Sequence, residues 1–299
     1  MTVCIAAICE NSQVVGASDR MLTAGDIQFE PERSKLRQLT GSIVAMTAGD
    51  SDIQDEILQN VYRDIQARIT AEPTNWWKVE DVAELHRKYY NKALLTRAEN
   101  AYLSPLGLTY DTFITRQNEL DSALIRDISK ELLNYPALGV STIFAGKDEY
   151  GAHIYEADNG DIRCHNSVGF AAIGAGSWHA MSQMMFAGHT RYKPLPETLL
   201  LTYAAKRHAE VAPGVGTGTD MVYHGARLGS ILIVGDHVLK KLDDIYKTSR
   251  KQIRAASTRA EKRIKSYVEE LGKTAANQNQ EGAPAGEDGP PPPKNTETG

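Results

Sequence analysis

The sequence has little of what marks several protein classes. Its 299 residues include only three cysteines, Cys4, Cys9 and Cys164, too few and too irregularly spaced for the disulfide framework of a small secreted domain. No apolar run approaches the roughly eighteen residues of a membrane-spanning helix, and no charged region followed by an apolar one opens the chain. We therefore expect reduced, buried cysteines in a cytoplasmic protein without a membrane partner.

Strong positive charge and clustered metal ligands are also missing. The formal net charge of −5 provides no overall basic field for nucleic acid. The eight histidines show no pairing at metal-ligand spacing, and the glycine segments at 174–177 and 214–219 lack the remaining residues of a dinucleotide fingerprint or a P-loop. We therefore predict no metal, no cofactor and no nucleic-acid partner.

Hydrophobic periodicity predicts alternating blocks of strands and helices. Four short strands are predicted within the first fifty residues, and others follow between 140 and 173 and between 219 and 234. The predicted amphipathic helices cover 52–70, 79–98, 178–188 and 196–211. This order favours an α+β fold, specifically a four-layer αββα sandwich of two antiparallel sheets between helical layers.

The predicted domain organisation has three parts. Residues 1–241 form the sandwich domain, with a helical insertion at about 99–137 that includes a helix between Gln117 and Leu133. Residues 242–272 have apolar positions three or four apart and predict one long charged helix, which we expect to be solvated or to pack between subunits. Residues 273–299 are rich in Pro, Gly, Gln, Asn and Glu, include four consecutive prolines, and are predicted to be disordered.

The beginning of the chain has the most distinctive chemistry. If Met1 is removed, as is usual before a small second residue, Thr2 carries both a hydroxyl and a free α-amine. Such an amine has an unperturbed pKa of about 7.7–8.0. Nucleophile and base would then belong to one residue, which is a recognised way to activate a threonine.

Three further residues in the first fifty could support this nucleophile. Lys35, at the start of a predicted strand, could reach Thr2 on an adjacent strand and assist proton transfer. Asp19 could hold that lysine charged and oriented, and Gly49 could present its backbone N–H to a developing oxyanion. Each also has a plain structural interpretation: Asp19 as a turn residue, Lys35 as an exposed strand end and Gly49 as a strand-to-helix turn.

Together these residues resemble the catalytic β-type subunits of the proteasome, within the N-terminal-nucleophile (Ntn) hydrolases. The matching segments are Thr2-Val3, Ser18-Asp19-Arg20, Thr23-Ala24-Gly25, Ser34-Lys35-Leu36 and Thr47-Ala48-Gly49-Asp50, with weaker matches in 172–177 and 216–220. The similarity covers about 2–98 and 138–240. Because the insertion and the long C-terminal helix exceed the usual subunit, the resemblance indicates a divergent bacterial-type member.

The resemblance implies specific catalytic roles. Thr2 would be the nucleophile and its amine the base, Lys35 and Asp19 would form the proton-transfer pair, and Gly49 would donate to the oxyanion. The implied activity is that of a threonine protease, a hydrolase that cleaves amides through an acyl-enzyme ester on Thr2.

The resemblance also implies how substrate and partners bind. Thr23 would pair with the backbone of a peptide or protein substrate as an added strand, and we assign Met21 and Thr47 to the lining of the specificity pocket. A homo-oligomeric ring or helical assembly is expected, and an ATPase unfoldase is a candidate partner.

The sequence departs from the family pattern at three positions. The family usually adds a serine beside the threonine, where Ala175 stands here, and an aspartate and a serine near the positions of Pro213 and Gly216. Two alternatives therefore stay open. One is a catalytically weak or inactive assembly subunit, and the other is an amidase that acts on a small metabolite.

Overall fold

The structure is a computed structural model that describes residues 2–24, 27–31, 34–225 and 227–281, with side chains omitted at 24 and 274–281. The chain divides into two compact units, Met1–Asp243 and Asp244–Gly299. Removal of Met1 and the predicted disorder of 282–299 concern residues outside the described part of the chain.

The described strands all belong to the first unit. They are β1 Cys4–Cys9, β2 Gln13–Asp19, β3 Leu22–Ala24, β4 Ile27–Phe29, β5 Leu36–Gln38, β6 Ile43–Gly49, β7 Val140–Asp148, β8 Gly151–Asp158, β9 Asp161–Cys164, β10 Phe170–Ile173, β11 Thr219–His224 and β12 Ile231–Ile233. The helices are α1 Ser51–Ala71, α2 Val79–Tyr102, α3 Tyr110–Thr115, α4 Ser122–Leu133, α5 Ser177–Phe186, α6 Leu195–Ala209 and α7 Asp236–Glu281.

Two five-stranded antiparallel sheets organise the first unit. One has the strand order β10-β1-β2-β11-β12 and the other β5-β6-β7-β8-β9, while β3 and β4 form a separate hairpin. The predicted α+β class is confirmed. The prediction of four strands in the first fifty residues is wrong, because the described residues of that stretch form six strands, divided between both sheets and the hairpin.

Alternation along the strands gives each sheet two apolar faces. Cys4, Ala6 and Ile8 of β1 pack in a cluster with Val44 and Met46 of β6, so this cluster lies between the two sheets. Ile5 and Ala7 of β1 pack with residues of α5 and α6, and the other face of β6 and β7 packs with α1 and α2. Burial on both faces explains why β1 is an uninterrupted apolar run.

The insertion differs in detail from its prediction. It contains two helices, α3 and α4, with short 3₁₀ turns at Ser104–Leu106 and Gln117–Glu119. The α4 helix starts later than predicted because Asp121 caps it, accepting hydrogen bonds from the Ala123 and Leu124 N–H groups. A small cluster around Leu103, Phe113 and Ile128 holds the insertion together.

Two further predictions need correction. The long helix predicted over 242–272 runs from Asp236 to Glu281, so the predicted disorder does not begin at 273. Asp236 favours the helix N-terminus, and the Ala, Gln and Glu residues after Gly272 are good helix formers.

The expectation that all three cysteines are buried is wrong for one of them. Cys164 is exposed, whereas Cys4 and Cys9 are buried, and all three thiols are free. Within the described residues, no helix has the length and apolar character needed to cross a bilayer.

Candidate active site

The pairing of β1 with β2 places Thr2 beside Asp19. Cys4 lies opposite Ser18 in this antiparallel pair, and the Asp19 N–H donates to the Val3 carbonyl at 3.1 Å. Two residues separated by sixteen others therefore meet where β1 begins and β2 ends. The Thr2 hydroxyl donates a hydrogen bond to Asp19 Oδ1, and both residues are buried.

Lys35 approaches the same point from the other sheet. It precedes β5, and its Nζ donates to the Thr2 hydroxyl oxygen and, at 2.8 Å, to Asp19 Oδ1. The expectation that Lys35 lies on a strand adjacent to Thr2 is therefore wrong, because the contact joins the two sheets. The Lys35 side chain is buried in this position, so the ammonium, the hydroxyl and the carboxylate form one enclosed cluster.

Backbone donors surround the Asp19 carboxylate. Oδ1 accepts from the Val3 N–H at 2.9 Å, and Oδ2 accepts from the Met21 and Gly216 N–H groups, each at 3.0 Å. Burial by itself would raise the pKa of Asp19, but the charge of Lys35 and the hydrogen bonds outweigh burial and hold this pKa below its usual value. Asp19 is therefore a fixed carboxylate that orients both Lys35 and Thr2.

A cavity of about 270 Å³ opens beside this cluster. Six of the seven residues predicted for the site line it, namely Thr2, Lys35, Gly49, Met21, Thr23 and Thr47, and Asp19 does not. The structure thus brings the predicted nucleophile, oxyanion donor and substrate-binding residues to one space. Asp19 is fully buried and contacts three of the lining residues, Thr2, Met21 and Lys35.

Gly49 occupies a position in the cavity wall that requires glycine. Its φ is 108°, and a Cβ atom there would overlap the Gly139 carbonyl oxygen and lie 2.9 Å from the Val140 Cα. Asp50 follows directly as the N-cap of α1 and accepts from the N–H groups of Asp52 and Ile53. The β6 strand therefore turns sharply into α1 at the cavity.

The loop before α5 covers the backbone of Thr2. The Gly176 N–H donates to the Thr2 carbonyl oxygen at 3.1 Å, and a Cβ atom on Gly174 would lie 2.9 Å from the Thr2 carbonyl carbon. Ala175 lies exposed between these glycines and has no hydroxyl to offer. Both glycines lie in the weakly matching segment 172–177, but their contact with Thr2 was not anticipated from the sequence.

Sequence reasoning missed one charged residue behind the site. Lys206, on α6, is fully buried, and its Nζ donates to Glu210 Oε1 at 2.7 Å and to the Gly216 and Thr217 carbonyls, each at 2.9 Å. These bonds hold the loop whose Gly216 N–H reaches Asp19. The only advance signal was the i, i+4 spacing of Lys206 and Glu210, which is common on exposed helix faces.

Comparisons with known proteins add no assignment: no protein-family model matches the chain, and no curated protein is significantly similar to it. Among the described residues, no group of three or more His, Cys, Asp or Glu side chains is arranged to hold a metal ion. The chemistry of the site must therefore be inferred from the arrangement of Thr2, Asp19 and Lys35.

Proposed function

We propose that the protein is a threonine-type amide hydrolase, a peptidase that uses Thr2 after removal of Met1. The observation that carries this proposal is the position of the Thr2 hydroxyl. It contacts both Asp19 and Lys35 and lies at the wall of the cavity that Gly49 also lines. A nucleophile, a proton-transfer pair and an oxyanion donor are the parts that acyl transfer requires.

Each residue has a distinct role in the proposed reaction. The Thr2 amine removes the hydroxyl proton as Thr2 Oγ1 attacks the substrate carbonyl carbon, and the Gly49 N–H stabilises the resulting oxyanion. The Thr2 amine then passes this proton to the amine of the scissile bond, and the C–N bond breaks. The acyl part of the substrate remains attached to Thr2 as an ester. Water attacks that ester with the same amine as base. Lys35 and Asp19 keep the hydroxyl oriented and the local charge balanced throughout.

The nearby thiol is a poor alternative nucleophile. Cys4 is fully buried, and burial raises the pKa of its thiol to about 12. A thiol that stays protonated at neutral pH is unreactive. Cys4 also lies in the apolar cluster between the sheets, which supports a packing role.

We also propose that residues 1–241 adopt the four-layer αββα arrangement of the Ntn hydrolases. Three separate apolar clusters support this arrangement, because one lies between the sheets and the others join each sheet to its own pair of helices. The domain boundary near 241 is consistent with the end of the first compact unit at Asp243.

The proposed substrate is an extended peptide. The cavity holds about 270 Å³, enough for one side chain, and the β3 residue Thr23 is positioned along its wall. A peptide that paired with this segment as an added strand would place a carbonyl near Thr2 with little demand on sequence. A homo-oligomeric ring or helical assembly and an ATPase unfoldase remain part of this proposal.

The test compares two substitutions of the same residue. Intact-mass measurement first establishes whether the purified chain begins at Thr2. We expect a hydroxyl-reactive acylating inhibitor to label that chain once, and we expect Thr2→Ala to abolish labelling and peptide hydrolysis while Thr2→Ser retains part of both. Hydrolysis by Thr2→Ala at the wild-type rate would show that the proposal is wrong.

Two other functions are favoured by particular observations. The absence of a hydroxyl at Ala175 and the burial of Thr2 favour an inactive scaffold subunit, and a chain that retained Met1 would support it. The modest volume of the cavity favours an amidase on a small metabolite. Hydrolysis of simple amides, but not of peptides, by a chain that begins at Thr2 would support that function.

A further inference from the structure

The α7 helix has a stripe of exposed apolar side chains in the second unit. Ile264, Tyr267, Val268 and Leu271 are all exposed, and their spacing of i, i+3, i+4 and i+7 places them on one helix face. This spacing is typical of helices that bind in an apolar groove of another protein. Most of the stability of helices in proteins comes from packing of their apolar face, so the stripe, defined by these four residues, needs a partner.

The insertion forms a groove of suitable character in the first unit. A cavity of about 510 Å³ lies between α2, α3 and α4, and its lining is mainly apolar, including Leu94, Leu95, Phe113, Ile114, Leu132 and Leu133. Leu133 is 87% exposed at its edge. We call this cavity the insertion groove. An exposed apolar concavity with rim residues of this kind marks an interaction site.

The two surfaces have opposite charge. Residues 247–273 of α7, which include the stripe, have nine Lys or Arg and three Glu, whereas 99–137 include six Asp or Glu and three Lys or Arg. Of the basic residues on the neighbouring part of α2, Arg97 is already paired with Glu56 at 2.6 Å. The balance around the groove is therefore acidic, which favours a basic helix over a second acidic surface.

We propose that the α7 stripe of one copy docks into the insertion groove of a second copy. The contact uses a different surface on each partner, so it is head-to-tail and repeats from copy to copy. Such contacts generate a closed ring or an open helical assembly. The proposal gives a role to both segments that exceed the usual subunit, and it does not depend on catalysis by Thr2.

Two double variants test this docking. The stripe variant is Ile264→Gln with Leu271→Gln, and the groove variant is Ile114→Gln with Leu133→Gln. Glutamine keeps helix propensity and adds no charge. We expect the wild type to self-associate in analytical ultracentrifugation. Each substitution should weaken association by about tenfold, because it removes an apolar side chain from the contact. Ser266→Gln and Ser122→Gln, on the same helices, are controls that should assemble normally.

Mixing the two variants distinguishes this contact from other modes of pairing. Each alone should be monomeric, but an equimolar mixture should form a one-to-one dimer, because one copy keeps its stripe and the other keeps its groove. A groove variant that assembled like the wild type would overturn the proposal in favour of pairing between α7 helices. A monomeric wild type would also overturn it, as would binding of α7 to phosphatidylserine vesicles without self-association. If the groove variant fails to fold, Leu133→Gln alone provides the test.

Discussion

Lys206 Nζ lies 2.9 Å from the Gly216 carbonyl oxygen, and the N–H of the same glycine donates to Asp19 Oδ2 at 3.0 Å. A buried ammonium on α6 is thus linked through one residue to the carboxylate behind Thr2. Burial lowers the pKa of Lys206, while its hydrogen bond and ion pair with Glu210 oppose that effect. Lys206 acts as a positioning residue for the loop that holds Asp19.

Replacement of Lys206 by methionine should destabilise the protein and slow hydrolysis. The substitution removes the buried donor of two loop carbonyls, while Glu210 keeps its ion pair with Arg207 at 3.3 Å. Breaking a fully buried ion pair typically costs about 3–5 kcal/mol, which is the upper limit for this loss. Urea denaturation measures the loss. Lys193→Met is the matched control, because Lys193 forms an i, i+4 pair with Glu197 at a partly exposed site, and such pairs contribute about 0.5 kcal/mol. Equal losses in both variants would contradict the assigned role.

Stability should fall between pH 6.5 and 4 because of His86. This side chain on α2 is buried against Phe144, and burial lowers its pKa to about 4. Between that value and the unfolded value of about 6.5, the unfolded state binds the extra proton, so stability decreases as the pH falls. The full effect of one such group is about 3 kcal/mol.

His86→Leu should reduce this pH dependence. The Thr142 hydroxyl lies 3.3 Å from His86 Nε2 but donates its one proton to Gln54 Oε1 at 3.0 Å, so it keeps a hydrogen bond in the variant. Thermal unfolding at pH 4.5 and pH 7 provides the measurement. His179→Leu is the control, since His179 is exposed. Burial also lowers the pKa values of His189 and His224, so a smaller slope should persist. An unchanged slope in His86→Leu would refute the assignment.

The sequence predicts much of the fold and of the candidate site wherever a local pattern of residues determines the structure. The helix stripe through Ile57, Val61 and Ile65 predicted α1 to within a residue at each end, because burial on one face imposes a period of 3.6. Thr2, Lys35 and Gly49 were all assigned to one site, and all line one cavity. The joint resemblance of these residues to the proteasome β-type subunits carried that prediction, since each of them alone has a plain structural interpretation.

Other features depend on long-range contacts that a local pattern does not encode. After Asp19 the chain passes from one sheet to the other. This transfer depends on the pairing of β2 with β11 and of β6 with β7, both far along the sequence. Lys206 resembles an ordinary surface lysine until α6 packs against the first sheet. The insertion groove requires three helices to come together, so no single segment predicts it.

Asp19→Asn should reduce stability at neutral pH and lose most hydrolytic activity. The variant removes the charge that Lys35 needs, leaving a buried ammonium unpaired. Because the pKa of Asp19 is below its usual value, its contribution is present above the unfolded value of about 3.9 and is lost as the pH falls through the folded value. The difference in stability between the wild type and the variant should therefore begin to shrink below about pH 3.9 and continue to shrink until the pH has passed the folded value. Parallel urea curves across that range, with a constant difference, would contradict this account.

Gly49→Ala separates the strain of a left-handed backbone from the close approach that Gly49 makes to β7. The matched control is Gly107→Ala, since Gly107 also has a positive φ of 72°, but a Cβ atom added there would meet no atom of the described residues within 4 Å. The control should lose only about 1–2 kcal/mol from backbone strain. Gly49→Ala adds overlap with the Gly139 carbonyl and the Val140 Cα, which cannot move without shifting β7, so its loss should exceed that of the control by about 1–3 kcal/mol. Displacement of the Gly49 N–H should also lower kcat by about a hundredfold or more, as expected for loss of an oxyanion donor. If the two variants were equally stable and equally active, Gly49 would have neither the packing nor the catalytic role inferred for it.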